Sequence, residues 1–247
     1  MESKLISVGE AAKLMGLSIK TLQRWDNSGK FPSIRRPGGH RYYNIRDIKK
    51  YLATLATSKQ DLFMMANYWA GNIDPSEPDR IFYCPNSAVF LSKLTSLQNK
   101  LAEIAEIKNT FPLIVAMAGE IGDNSFAHNI GNWPDIPGIF FGYDNVRKEI
   151  VLADRGRGIL ETLKRVRPSL ENSNDALFVA FTEIISGRAP EERGNGLKYV
   201  RKIAISNNIS LYFKTGDAEL EIKTGDADLN IKNTRSNIRG CIALIKF

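Results

Sequence analysis

The chain has 247 residues, enough for one large domain or for a small one joined to a medium one. Its 43% hydrophobic and 25% charged residues argue against disorder, and no apolar run reaches the roughly 20 residues of a membrane helix. The net charge of +7 is uneven: residues 1–60 hold 12 Lys/Arg against 4 Asp/Glu, and the other 187 residues hold 22 against 23, which describes a polyanion-binding head on a near-neutral body.

The head is clearly punctuated. Ser7-Val-Gly-Glu10 reads as a capping box opening a helix through Ala11, Ala12, Leu14 and Met15, with Gly16 available to end it. Ser18 caps a second helix, Ile19 to about Asn27, with Ile19, Leu22 and Trp25 spaced to face a core. Lys20, Gln23, Arg24 and Asn27 then face outward, and Ser28-Gly29 closes the helix. Two extended arms around Pro37-Gly38-Gly39 predict a β-hairpin. Asn44 caps a third helix carrying Ile45, Ile48, Tyr51, Leu52 and Leu55. The outcome is a helix-turn-helix followed by a wing over residues 1–56.

Ile6-Ser-Val-Gly-Glu-Ala-Ala, Thr21-Leu-Gln-Arg-Trp-Asp26 and Pro37-Gly-Gly-His-Arg-Tyr-Tyr43 carry a resemblance. The head is similar to the MerR-type winged helix-turn-helix, particularly its excisionase-like variant. That resemblance implies double-stranded DNA as partner. Lys20, Thr21, Gln23 and Arg24 would enter the major groove, and Arg35, Arg36, His40, Arg41 and Tyr42 would touch phosphate or the neighbouring minor groove. One of the two tyrosines is expected in the core. The long dimerisation helix and effector domain of MerR regulators are not evident, so a metal- or drug-sensing role does not carry over.

Residues 57–85 read as a linker of which part packs onto the body. The segment has Phe63, Met64, Met65, Tyr68 and Trp69, a loop at Asp74-Pro75-Ser76-Glu77-Pro78, and a possible short strand at Ile81-Phe82-Tyr83. From residue 86 the pattern is α+β. Leu91, Leu94, Leu97, Leu101, Ile104 and Ile107 predict one helix, and Pro112 opens another running to about Asn129. Strands are expected at 138–143 and 148–153, short helices near 159–166, 174–186 and 195–206, and strands at 208–214, 218–223, 227–232 and 238–247. The tandem repeat Lys-Thr-Gly-Asp-Ala-Glu-Leu-Glu-Ile (214–222) and Lys-Thr-Gly-Asp-Ala-Asp-Leu-Asn-Ile (223–231) reads as a duplicated hairpin unit that widens the sheet.

Three polar signatures run through this body. Glu120, Asn124 and His128 are four apart and line one ridge of a helix. A Glu can polarise an attacking water, an Asn oxygen can ligate Mg²⁺ and a His can bond phosphate. Alone, the ridge reads more readily as an ordinary surface helix than as a site. Asp154-Arg-Gly156-Arg-Gly158 follows a strand, where a carboxylate can accept from an exocyclic amine and glycines let backbone approach a flat base. Arg193-Gly194-Asn195-Gly196-Leu197 precedes a helix, the setting in which free N–H groups bind phosphate.

In this order the three resemble the GHKL ATPase superfamily over residues 86–247. The resemblance implies an α/β-sandwich Bergerat fold with a mixed sheet, and ATP and Mg²⁺ as cofactors. Asn124 would be the metal ligand, with Asp123 nearby, Glu120 the general base and Asp154 the adenine reader. Gly156, Gly158, His128, Arg193, Gly194, Asn195, Gly196 and Leu197 would complete the nucleotide site, and residues 167–193 would form a lid. With only His40 and His128 in the chain, no separate phosphoacceptor His is evident. The expected function is an ATP-binding, DNA-binding transcriptional regulator. Its enzymatic side would be an ATPase or protein kinase, and ATP-linked pairing would give a homodimer. The alternative is an anti-sigma-type serine kinase acting on a partner protein, with the head localising it on DNA. Cys84 and Cys241 stand far apart, which suggests neither a disulfide framework nor a metal cluster. Together with the absence of a signal-peptide pattern, this gives an expected cytoplasmic setting.

Overall fold

The computed structural model describes residues 5–15, 18–48, 61–185 and 195–247, the Lys13 side chain excepted. Gly16, Tyr51, Leu52, Leu55, Arg193 and Gly194 lie outside the described residues. The protein is a mixed α+β chain that divides into two units, Met1–Asp61 and Leu62–Phe247. Among the described residues no helix is long and apolar enough to cross a membrane.

In the first unit, β1 (Leu5–Ser7) leads directly into α1 (Val8–Met15). The capping box forms: Ser7 N–H donates to the Glu10 carboxylate at 2.9 Å, and Glu10 N–H to the Ser7 hydroxyl oxygen at 3.3 Å. The helix α2 (Ile19–Asn27) starts with Thr21 N–H on the Ser18 hydroxyl at 3.0 Å and ends at Ser28, with Gly29 in the left-handed region at φ +72°. The hairpin of β2 (Ile34–Arg35) and β3 (Arg41–Asn44) is the expected wing. β1 also joins it, giving an antiparallel sheet of order β1-β3-β2. The core gathers Ile6, Ala11, Ala12, Met15, Leu22, Tyr43 and Ile48, with Trp25 and Phe31 against it. Ile19 departs from the reading of the sequence: it is 48% exposed. The short α2 turns only Leu22 fully inward, and Ile19, in its first turn, is left at the rim.

The second unit is built on a five-stranded sheet of order β4-β5-β6-β8-β7. Its strands are β4 (Tyr83–Cys84), β5 (Ile139–Asp144), β6 (Glu149–Asp154), β7 (Ser210–Ile222) and β8 (Asn230–Lys246). All four pairings are antiparallel, which corrects the expectation of a mixed sheet. Alternation along the strands sends Ile139, Phe141, Ile150, Leu152, Ala243 and Ile245 into the main core and Phe140, Val151, Ala153 and Ile242 into a second one on the opposite face.

The second core is covered by α3 (Leu62–Gly71), through Leu62, Ala66, Trp69 and Ala70. The 10 residues of this helix, out of the expected linker 57–85, are therefore a structural layer. The main core is covered by α4 (Ser87–Ala102), α5 (Phe111–Asn129), α7 (Ser173–Thr182) and α8 (Gly196–Ser206). Between β6 and α7 runs the short α6 (Gly158–Leu163). The apolar stripe predicted for α4 breaks at Ala102. Leu91 is 50% exposed, Phe90 is buried in its place, and Ile107 belongs to a separate 3₁₀ turn.

The tandem repeat is another correction. Its two copies adopt different structures: in the first, Thr215-Gly216-Asp217 is a bulge inside β7, and in the second, Thr224-Gly225-Asp226 lies in the connection from β7 to β8. Four expected short strands are two long ones, and no second hairpin is added.

Candidate functional site

In the head, α2 and the wing both carry exposed basic side chains. Lys20, Arg24, Arg35, Arg36 and His40 are exposed, while Gln23, Arg41 and Tyr42 are half-buried. Thr21 is spent on the cap, its hydroxyl 2.8 Å from that of Ser18. Asp26, which closes the Thr21–Asp26 motif but was given no role by the sequence, organises this region. Its carboxylate accepts from Ser33 N–H at 2.7 Å, from Arg41 Nε at 2.7 Å and from Arg35 Nη2 at 3.2 Å. Arg41 also donates to Asn27 Oδ1 at 2.9 Å. The wing is thereby tied to the end of α2. Burial would raise the Asp26 carboxyl, but the Ser33 N–H and the Arg41 guanidinium outweigh it and hold it at about 2. Arg36 stacks over the Tyr42 ring, 5.0 Å from its centroid.

In the second unit, period-two alternation decides the chemistry at the end of β6. Asp154 continues the face of Ile150 and Leu152 and meets α5, whereas Arg155 turns to the opposite face and meets α3. The Asp154 carboxylate accepts from the Ser125 hydroxyl at 2.8 Å and from Gly156 N–H at 2.8 Å, and it has no cationic partner among the described residues. Burial lifts its carboxyl to about 6, against the hydrogen bonds from Gly156, Ser125 and the Cys241 backbone that pull it down. Arg155 is buried against the Trp69 and Ala70 carbonyls and pairs with Asp135 at 2.7 Å, locking α3 to the same turn.

The glycine turn is shaped by close approach. A Cβ on Gly156 would collide with the Asn129 amide, whose Oδ1 accepts Arg157 N–H at 3.0 Å and whose Nδ2 donates to Ser125 O at 2.7 Å. Gly158 has φ +75°, and a Cβ there would stand 2.9 Å from Thr215 Oγ1. Thr215 accepts from Ile159 N–H at 3.2 Å and donates to Gly240 O at 2.9 Å.

One cavity brings much of this together. Its polar edges include Asn124, Ser125, His128 and Asp154, and its walls include Ile121, Ile159, Leu197 and Phe213. It is narrow, about 30 Å³. Glu120 does not line it but stands beside it: a Cβ on Gly196 would come within 2.6 Å of Glu120 Oε2 and 3.3 Å of Asn124 Nδ2, so the start of α8 lies directly on these two side chains. Asn195, before α8, is exposed and makes no side-chain cap. Asp123 is on the exposed side of α5. Among the described residues no group of three or more His, Cys, Asp or Glu converges in a metal-holding arrangement. Sequence reasoning had not singled out Ser125, Asn129, Thr215 or Cys241 for this site. Only Ser125 and Asn129 carried a signal, as polar neighbours of the Glu120–His128 ridge on a helix that also carries core residues.

Residues 7–43 match the family model for the MerR family regulatory protein, which covers the capping box, α2 and the wing. A comparison with curated proteins gives no match. The match lies within the first unit.

Proposed function

We propose that the chain is a DNA-binding regulator. Residues 1–61 would grip duplex DNA as a MerR-type winged head, and residues 62–247 would bind Mg-ATP in the manner of a GHKL ATPase with a Bergerat-type site. The observation that carries the nucleotide reading is Asp154, a fully buried carboxylate with no cation beside it among the described residues, facing a cavity that also holds Asn124 and His128. Such a group lacks the partner that a structural carboxylate ordinarily keeps. The amino group of adenine would supply a donor, and Ile121, Ile159, Leu197 and Phe213 would enclose the base.

The remaining residues fit the rest of such a ligand. Mg²⁺ keeps several waters and phosphate oxygens, so the single oxygen of Asn124 is a sufficient protein contribution. Phosphate would enter by parting the first turn of α8 from the pair Glu120–Asn124, on which Gly196 now rests, and the α8 N-terminus would favour negative charge there. Glu120, beside the cavity, would orient a water toward that region as general base. When bound, the Mg-nucleotide would supply the phosphoanhydride to be cleaved. The cavity's walls must part for a purine to enter, so binding is coupled to a movement of the unit. Nucleotide-dependent pairing of two chains would give two heads and avidity on DNA with two half-sites.

Calorimetry with a non-hydrolysable adenine nucleotide and Mg²⁺ tests the reading. Asp154→Asn is expected to weaken binding about 100-fold, since it replaces a charged acceptor by a weaker, half-donor amide. Equal affinities would contradict it. Incubation with labelled ATP is expected to release free phosphate; label on a partner serine would instead identify a kinase.

A further inference from the structure

A second, larger cleft, about 540 Å³, opens on the other side of the glycine turn. It shares no lining residue with the Asp154 cavity. Gly156, Arg157, Glu161, Lys164, Arg165 and Arg239 line it, four cations against one carboxylate. This concentration is local, because residues 61–247 as a whole are nearly charge-balanced. Glu161 offsets only Lys164, at 3.4 Å, and Arg239 leans on Asp135 at 3.0 Å while staying half exposed. Arg157 and Arg165 make no side-chain ion pair among the described residues, and Arg165 is exposed.

We infer that this cleft binds the phosphodiester backbone of nucleic acid, a second polyanion contact separate from the head. Guanidinium groups match phosphate oxygens in a bidentate fork, and unpaired ones have most to gain from such a partner. Among the described residues no aromatic ring lines the cleft, whose apolar ring is Pro134, so they offer no slot for a base. The ligand is read through its charge, which is the mode of sequence-independent backbone contact. The choice of nucleic acid over another phosphate rests on the DNA-binding reading of the head in the same chain.

The test uses the full chain with the head disabled by Lys20→Glu and Arg24→Glu, titrated with a random-sequence duplex at several salt concentrations. Residual binding is expected, and adding Lys164→Gln with Arg165→Gln should weaken it at least tenfold at low salt. The same pair should lower the slope of log K against log salt by about two, as for two lost phosphate contacts. Mg-ATP affinity, measured in parallel, should not change with Lys164→Gln and Arg165→Gln. An unchanged slope, or no residual binding at all, would overturn the inference. Displacement of the duplex by inorganic triphosphate at equal phosphate concentration would also overturn it, assigning the cleft to free phosphates. Failure of ATP to bind the wild type would sink the nucleotide reading and leave this result standing.

Discussion

The two units each centre on an aspartate, and the two are set in opposite ways. Asp26 has Arg41, Arg35 and the Ser33 N–H around it, and its carboxyl is held at about 2. Asp154 has only neutral donors among the described residues, is fully buried and is lifted to about 6. The first spends its charge inside the protein, binding the wing to α2. The second keeps an acceptor directed at a cavity. A carboxylate whose partners are all present reads as structure, and one buried without its natural partner reads as a place for a ligand.

The contrast can be tested by titrating stability. Asp154 has a folded value above its ordinary 3.8, so its contribution is complete below pH 4 and is lost as pH rises through 6. The loss, about 3 kcal/mol from a two-unit shift, should vanish in Asp154→Asn when denaturation is followed from pH 4 to 7. Asp26 has the opposite sign: its contribution is present above pH 4 and disappears as pH falls toward 2, a dependence that Asp26→Asn should remove. Gly156→Ala should cost about 2–3 kcal/mol, since the new methyl drives into the buried Asn129 amide, and should reduce nucleotide affinity by displacing Asp154's neighbours. Asp26→Ala should cost about 2 kcal/mol and weaken DNA binding in a gel-shift assay, with the wing no longer tied to α2. The smallest effect is Ser18→Ala, about 1 kcal/mol through the lost cap on Thr21 N–H, read by thermal unfolding.

What was legible in the sequence follows from range. The capping box at Ser7–Glu10, the cap at Ser18 and the turn at Gly38-Gly39 depend on neighbours within a few residues, and each formed where its pattern stands. Helix α5 was readable because Pro112 marks its start and its buried residues recur with helical spacing. Long-range partners were not readable. Nothing local announces that Arg155 reaches Trp69 and Ala70, or that β1 adds to the wing. The repeat is the clearest case: two nearly identical segments become a bulge and a connection because their places in the β7–β8 pairing differ. In the site, the spacing of Glu120, Asn124 and His128 placed one ridge. Thr215 and Cys241 reached it only through the sheet.

Discrimination between purines tests the central claim most directly. Guanine presents a carbonyl where adenine presents an amine, and a carbonyl oxygen facing the Asp154 carboxylate would be repelled. Titrating the full-length protein with ATP and with GTP, each with Mg²⁺ at pH 7.5, should give a preference for ATP of about 100-fold or more, collapsing in Asp154→Asn. Equal affinity for the two, or binding of neither, would contradict the account.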